Sequence, residues 1–317
     1  MQTCASCNNF NINNVVKSDK SLDPTWLQNV NYVEKFIDSM KKFTISHPSN
    51  YDTIVKVNVG KTLADRKLLY WASNKKKSYT PLIVDAKKAY NKFENHGIAQ
   101  VNEYGDVIFK IECPQIYSVI PKGKHTSDTF FRHMHFVASD KKQTRWLPQI
   151  YTKIVKCQYN FEETMKHLQN QTSVFINALP HEYYAKDHIP NSYNLPLNFI
   201  KSLSPEDLKI WFTDVINIHY PKLKKYLQND KIRLYEIPII VYCAHSKCNA
   251  SELVSNELIK NYNSLLYKKN ETSNFSANDM SKFQGKIIKV DIDGEITIRL
   301  SNKQLSKYSE SEIKLII

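Results

Sequence analysis

The run IPIIVYC, followed at once by AHSKCNASELVSNELIKNY (together 237–262), constrains the fold more than any other part of the chain. Residues 238–242 are apolar or aromatic without alternation, the pattern of a strand covered on both faces, and from Ala250 apolar residues recur at helical spacing. A strand that hands over through a short loop to a helix is the building unit of a parallel α/β sheet. A second such run, TSVFINAL (172–179), predicts another doubly covered strand, and SPEDLKIWF (204–212) predicts a helix between the two.

The loop between strand and helix carries the chemistry. Main-chain N–H groups gather there, and the helix dipole adds partial positive charge, so the place favours an anion. Cys243 stands at its lip. Its thiol is expected to ionise below the ordinary value of about 8.5, and the thiolate is the nucleophile. The loop residues Ala244, His245, Ser246, Lys247, Cys248 and Asn249 are the expected cradle, with Lys247 or His245 tuning the thiol.

Around these residues a family resemblance is visible. The stretch VFINALPHEYYAKDHIPNSYNLPL (174–197) resembles the rhodanese pattern of a strand, a helix with Glu-Tyr, and a His-Ile-Pro turn. Glu182-Tyr183, His188-Ile189-Pro190, Asn194 and Pro196 carry the match, and IPIIVYCAHSKCNASELVSNEL is similar to the family's cysteine loop and following helix. The resemblance implies a rhodanese-like α/β domain with a mainly parallel central sheet flanked by helices. It implies sulfurtransferase activity in which Cys243 carries sulfane sulfur as a persulfide between a small-molecule donor and a thiol or other thiophilic acceptor, with no cofactor. His188 is expected to be structural, in the turn that returns the chain to the sheet.

The sequence also departs from the pattern. Asn177-Ala178-Leu179 replaces the usual Asp-Val-Arg, and Ala244, Ser246 and Cys248 stand where the loop commonly has Arg, Gly, and Arg or Thr. Asn249 occupies the place of the arginine that related phosphatases need as a charge partner, so phosphoryl transfer is not expected. Cys248, five positions after Cys243, is either a second thiol able to resolve a persulfide or close a reversible disulfide, or a small inert packing residue. A non-catalytic interaction module is the contrasting reading of the whole domain.

The expected order is an α+β domain over 1–157, a linker over 158–171 that is either open chain or a helix leading into the next unit, the rhodanese-like domain over 172–268, and a loop with a C-terminal β-hairpin turning at Asp293-Gly294 over 269–317. Within the first part, the spacing of Trp26, Val30, Val33, Ile37 and Met40 predicts a helix, and residues 51–59 predict a strand. LADRKLLYWAS and VDAKKAYNKFEN predict two further helices, and the turn at Asn102 to Gly105 predicts a hairpin.

The remaining expectations are broader. Lys and Arg outnumber Asp and Glu by 44 to 31, but no basic arm, finger or aromatic RNA-binding signature accompanies the surplus, so a nucleic-acid partner is not expected. No apolar stretch is long enough for a membrane span and no signal peptide is evident, which predicts a cytoplasmic protein. Six cysteines, at 4, 7, 113, 157, 243 and 248, are too sparse for a disulfide scaffold and read as free thiols, Cys113 and Cys157 as packing residues. Cys4, Cys7, His133 and His135 have the residue types of a Cys₂His₂ site, but their pairs lie more than 120 positions apart and no metal is expected.

Overall fold

The computed structural model describes residues 16–17, 32–120, 125, 127–245, 248–267 and 313–316. The chain forms two compact units, Met1–Ser78 with Ile83–Gln158, and Tyr79–Leu82 with Tyr159–Ile317. It is a mixed α/β protein whose strand pairs are mostly antiparallel.

The described elements of the first unit are, in order, β1 (Val16–Lys17), α1 (Tyr32–Ser39), β2 (Thr53–Asn58), β3 (Lys67–Ala72), β4 (Val84–Asp85), α2 (Ala86–Tyr90), β5 (His96–Gln100) and β6 (Asp106–Ile111). They continue with β7 (Tyr117–Val119), β8 (Asp128–Phe130), β9 (His133–Ala138) and β10 (Tyr151–Ile154), and β11 (Cys157–Tyr159) crosses from the first unit into the second. The main sheet is antiparallel throughout, in the order β1-β10-β9-β3-β5.

β3 corrects the helix expected over LADRKLLYWAS. Leu68, Leu69, Tyr70, Trp71 and Ala72 are all at most 1% exposed, because β9 and β5 flank the strand and both its faces are covered. Five consecutive apolar residues point all round a helix but to only two sides of a strand, so burying them all favours the strand. On one face Trp71 meets Phe36 of α1 edge to face at 5.8 Å, and Phe36 stacks on Phe93 at 4.6 Å. On the other, Tyr70 packs on Phe109 at 5.1 Å. Each such side chain contributes about 1.5–3 kcal/mol by leaving water.

Two further expectations are altered here. The turn at Asn102 forms, with Gly105 at φ +87° donating to the Asn102 carbonyl at 3.0 Å, yet β5 pairs with β3 and β6 with β2. The two strands leave the turn for different sheets instead of forming a regular hairpin. Cys113 and Cys157 are not free packing thiols: they form a disulfide across 44 positions, with Cα atoms 5.5 Å apart. Such a bond is characteristic of oxidising surroundings, against the expectation of free thiols in a reducing compartment.

In the second unit, α3 (Phe161–Asn170) occupies most of the expected linker. Asn160 accepts the Glu163 N–H at 2.9 Å while the Glu163 carboxylate accepts the Asn160 N–H, a reciprocal cap that starts the helix. Then follow β12 (Val174–Asn177), α4 (His181–Tyr184), β13 (Ser192–Asn194), α5 (Leu197–Ser202), α6 (Pro205–His219), α7 (Pro221–Gln228), β14 (Ile239–Tyr242), α8 (Ala250–Tyr267) and β15 (Ile313–Ile316). β12 pairs in parallel with both β13 and β14, and β15 lies antiparallel to β14. The hairpin expected at Asp293-Gly294 lies outside the described residues. α6 is set by Ser204, which accepts the Asp207 N–H at 3.1 Å ahead of Pro205, and it buries Leu208, Trp211, Phe212, Val215 and Ile216. Among the described residues, no helix is long and apolar enough to cross a membrane.

Candidate active site

β14 carries the candidate nucleophile. Its four residues are fully buried, and Tyr242 lies in register with Asn177 of β12, so Cys243 is the first residue beyond the parallel ladder. The Tyr242 hydroxyl fixes this end of the strand. It accepts the Ile189 N–H at 2.9 Å and shares a hydrogen bond with Ser192 Oγ at 2.7 Å. The His-Ile-Pro turn is thereby tied to the cysteine strand. His188 is held inside that turn, stacked on Tyr184 at 4.1 Å and bonded through Nδ1 to the Tyr184 carbonyl at 2.9 Å.

Beyond Cys243 the chain turns back sharply. The Cys248 N–H donates to the His245 carbonyl at 2.9 Å, and the Leu253 N–H reaches the Asn249 carbonyl at 3.0 Å as α8 begins. Ala244, His245 and Asn249 are exposed and Cys248 is half-buried, whereas Ser246 and Lys247 lie outside the described residues. Cys243 itself is 0% exposed. Its sulfur is 3.3 Å from both the Cys248 carbonyl and Ser251 Oγ, and 3.9 Å from the His245 carbonyl.

These contacts revise the expected electrostatics. The thiol pKa is raised rather than lowered, chiefly because burial disfavours the thiolate. The side chain and the main-chain N–H of Ser251 oppose that effect, and the Cys248 thiol adds to it. Of the expected amide cradle, the Cys248 N–H is spent on the His245 carbonyl, and residues 245 and 248 turn carbonyl oxygens toward the sulfur. A carbonyl accepts a thiol proton but repels a thiolate. The resting site is therefore built for a protonated Cys243, with stabilisation of the anion confined among the described contacts to Ser251.

Ser251 was not legible as a site residue. Its only sequence signal is a small polar residue in the first turn of α8, where its N–H has no helical partner and faces outward from the helix start. Close packing there also favours a small side chain, and both Ser251 and Ser255 are 0% exposed.

The histidine pair of the first unit is buried in a separate network. His133 donates through Nδ1 to the Phe131 carbonyl at 2.6 Å, its Nε2 is 2.9 Å from the Tyr117 hydroxyl and 3.1 Å from His135 Nε2, and His135 Nδ1 is 2.9 Å from Thr152 Oγ1. Burial lowers both imidazole pKa values, that of His133 to about 4. Cys4 and Cys7 lie outside the described residues, and among those described no group of three or more His, Cys, Asp or Glu is placed to hold a metal.

No protein-family model, curated protein or solved structure matches the chain.

Proposed function

We propose that the second unit is a rhodanese-like sulfurtransferase domain in which Cys243 carries sulfane sulfur as a persulfide. The observation that carries this reading is the position of the Cys243 sulfur, at the end of a parallel strand and 3.3 Å from Ser251 Oγ in the first turn of α8. Loading converts a buried neutral thiol into an anionic persulfide, and Ser251 supplies the two donors that favour the anion. The fold-level basis is the β13-β12-β14 parallel core with its His-Ile-Pro turn anchored on Tyr242. A small oxyanion donor such as thiosulfate and a thiophilic acceptor are the expected substrates, and no cofactor takes part.

A second reading, a non-catalytic interaction module, is favoured by one observation. Cys243 is 0% exposed with its pKa raised, which lowers both access and thiolate population. The two readings separate in one assay. The full chain incubated with thiosulfate and cyanide is expected to release thiocyanate, and Cys243→Ser to release none. Mass spectrometry after thiosulfate treatment is expected to find one added sulfur on the peptide containing Cys243. Absence of both signals in the wild type leaves the module.

A further inference from the structure

The site holds two thiols with opposite access. Cys243 is fully buried, whereas Cys248 is half-buried and follows two residues outside the described set. The turn closed by the Cys248 N–H on the His245 carbonyl brings residue 248 back against the sulfur of Cys243, 3.3 Å from the Cys248 carbonyl. The Cys248 thiol lies near enough to Cys243 to disfavour its ionisation. Of the two thiols, Cys248 is the more accessible.

We propose that Cys248 is the delivery thiol of this site, taking sulfane sulfur from Cys243 and presenting it to a thiol acceptor too large to reach Cys243. This rests on the sulfur-transfer reading above. In the step, Cys248 gives its proton to solvent and its thiolate attacks the outer sulfur of the Cys243 persulfide. A bond forms between Cys248 Sγ and that sulfur, the bond from it to Cys243 Sγ breaks, and the bonding pair returns to Cys243 as thiolate. The exchange is redox-neutral and needs no reductant. Ser251 faces the departing Cys243 sulfur with its hydroxyl and N–H, so the leaving thiolate is the species that its donors stabilise.

The chemical class of acceptor follows from access. Cyanide is small enough to take sulfur from Cys243 directly, whereas a peptide thiol the size of glutathione depends on Cys248. The experiment uses the full chain and its Cys248→Ser and Cys248→Ala variants, loaded with thiosulfate and freed of excess donor. Sulfur is then located by alkylation, digestion and mass spectrometry, and transfer to cyanide and to glutathione is timed. Wild-type protein is expected to carry sulfur on both cysteines. Both variants are expected to carry it on Cys243 alone, to pass it to cyanide, and to slow transfer to glutathione about tenfold or more.

The proposal is overturned if wild-type sulfur stays wholly on Cys243 while the variants serve glutathione at the wild-type rate. It is equally overturned if loading ends in a Cys243–Cys248 disulfide with release of sulfide, which makes Cys248 a resolving thiol instead of a carrier. A chain that never acquires sulfur on Cys243, in wild type or variants, removes the sulfur-transfer reading itself and the relay with it.

Discussion

Reducing the Cys113–Cys157 bond is expected to destabilise the first unit by an amount that the loop length sets. The bond closes 44 positions, and the chain-entropy relation gives about 4 kcal/mol at 25 °C for a loop of that size. Spread over a unit of some 150 residues, that corresponds to a fall in melting temperature of roughly 8–16 °C. Calorimetry of the full chain with and without a thiol reductant reads this directly, as a shift of one transition. Both sulfurs are buried, Cys113 at 2% and Cys157 at 0% exposure, so a Cys113→Ser/Cys157→Ser double variant also buries two hydroxyls, the one at 113 beside Arg132 Nη1. It is expected to fall further than the reduced wild type, by about 1–3 kcal/mol for each hydroxyl that finds no partner. Reduction acts on the bond alone and is the cleaner measurement. Non-reducing digestion should yield a Cys113–Cys157 linked peptide. A melting temperature unchanged by reductant, with no linked peptide, refutes the entropic reasoning and the bond together.

Two more outcomes follow from buried titratable groups. Burial holds the His133 pKa at about 4 against an ordinary 6.5, so between those values the unfolded chain takes up a proton that the folded chain refuses. Stability therefore falls as pH drops through that window, by about 1.4 kcal/mol per unit for this group and by about 3 kcal/mol in all. Denaturant titrations of wild type and His133→Gln at pH 7 and pH 5 check it, and equal pH slopes in the two proteins contradict it. At the candidate site, Ser251→Ala removes a donor that favours the Cys243 thiolate, so the thiol pKa is expected to rise further. Alkylation of Cys243 at pH 8 should slow about two- to tenfold, the worth of one hydrogen bond, and an unchanged or faster rate argues against Ser251 as the anion's partner.

What the sequence disclosed depended on how local each determinant is. The strand ending in Cys243, the helix from Ala250 and the capped start of α6 at Ser204-Pro205 are written in contiguous residues, and the structure contains each of them. β3 was obscured because LLYWA has no period of its own: only the flanking β5 and β9 turn an unbroken apolar run into the middle of a sheet. The Cys113–Cys157 bond has no local signal, since the pairing is decided by where β11 returns relative to the segment after β6. The state of Cys243 departs from the local expectation for a related reason. Helix start and loop are local and argue for an anion, but burial and the direction of the Cys248 carbonyl are products of folding, and they prevail. Parallel pairing of β12 with β13 and β14 likewise joins segments up to 65 positions apart, Val174 opposite Ile239.

The short excursion of Tyr79–Leu82 changes how this protein can be taken apart. Tyr79 meets His167 of α3 edge to face at 5.1 Å, while Tyr159 stacks on the same imidazole at 4.9 Å. A cut after Gln158 thus leaves the second unit without Tyr79, an aromatic neighbour of His167 encoded about eighty positions upstream of the cut. The second unit is therefore discontinuous in sequence, and a boundary drawn at one position cannot contain all of it.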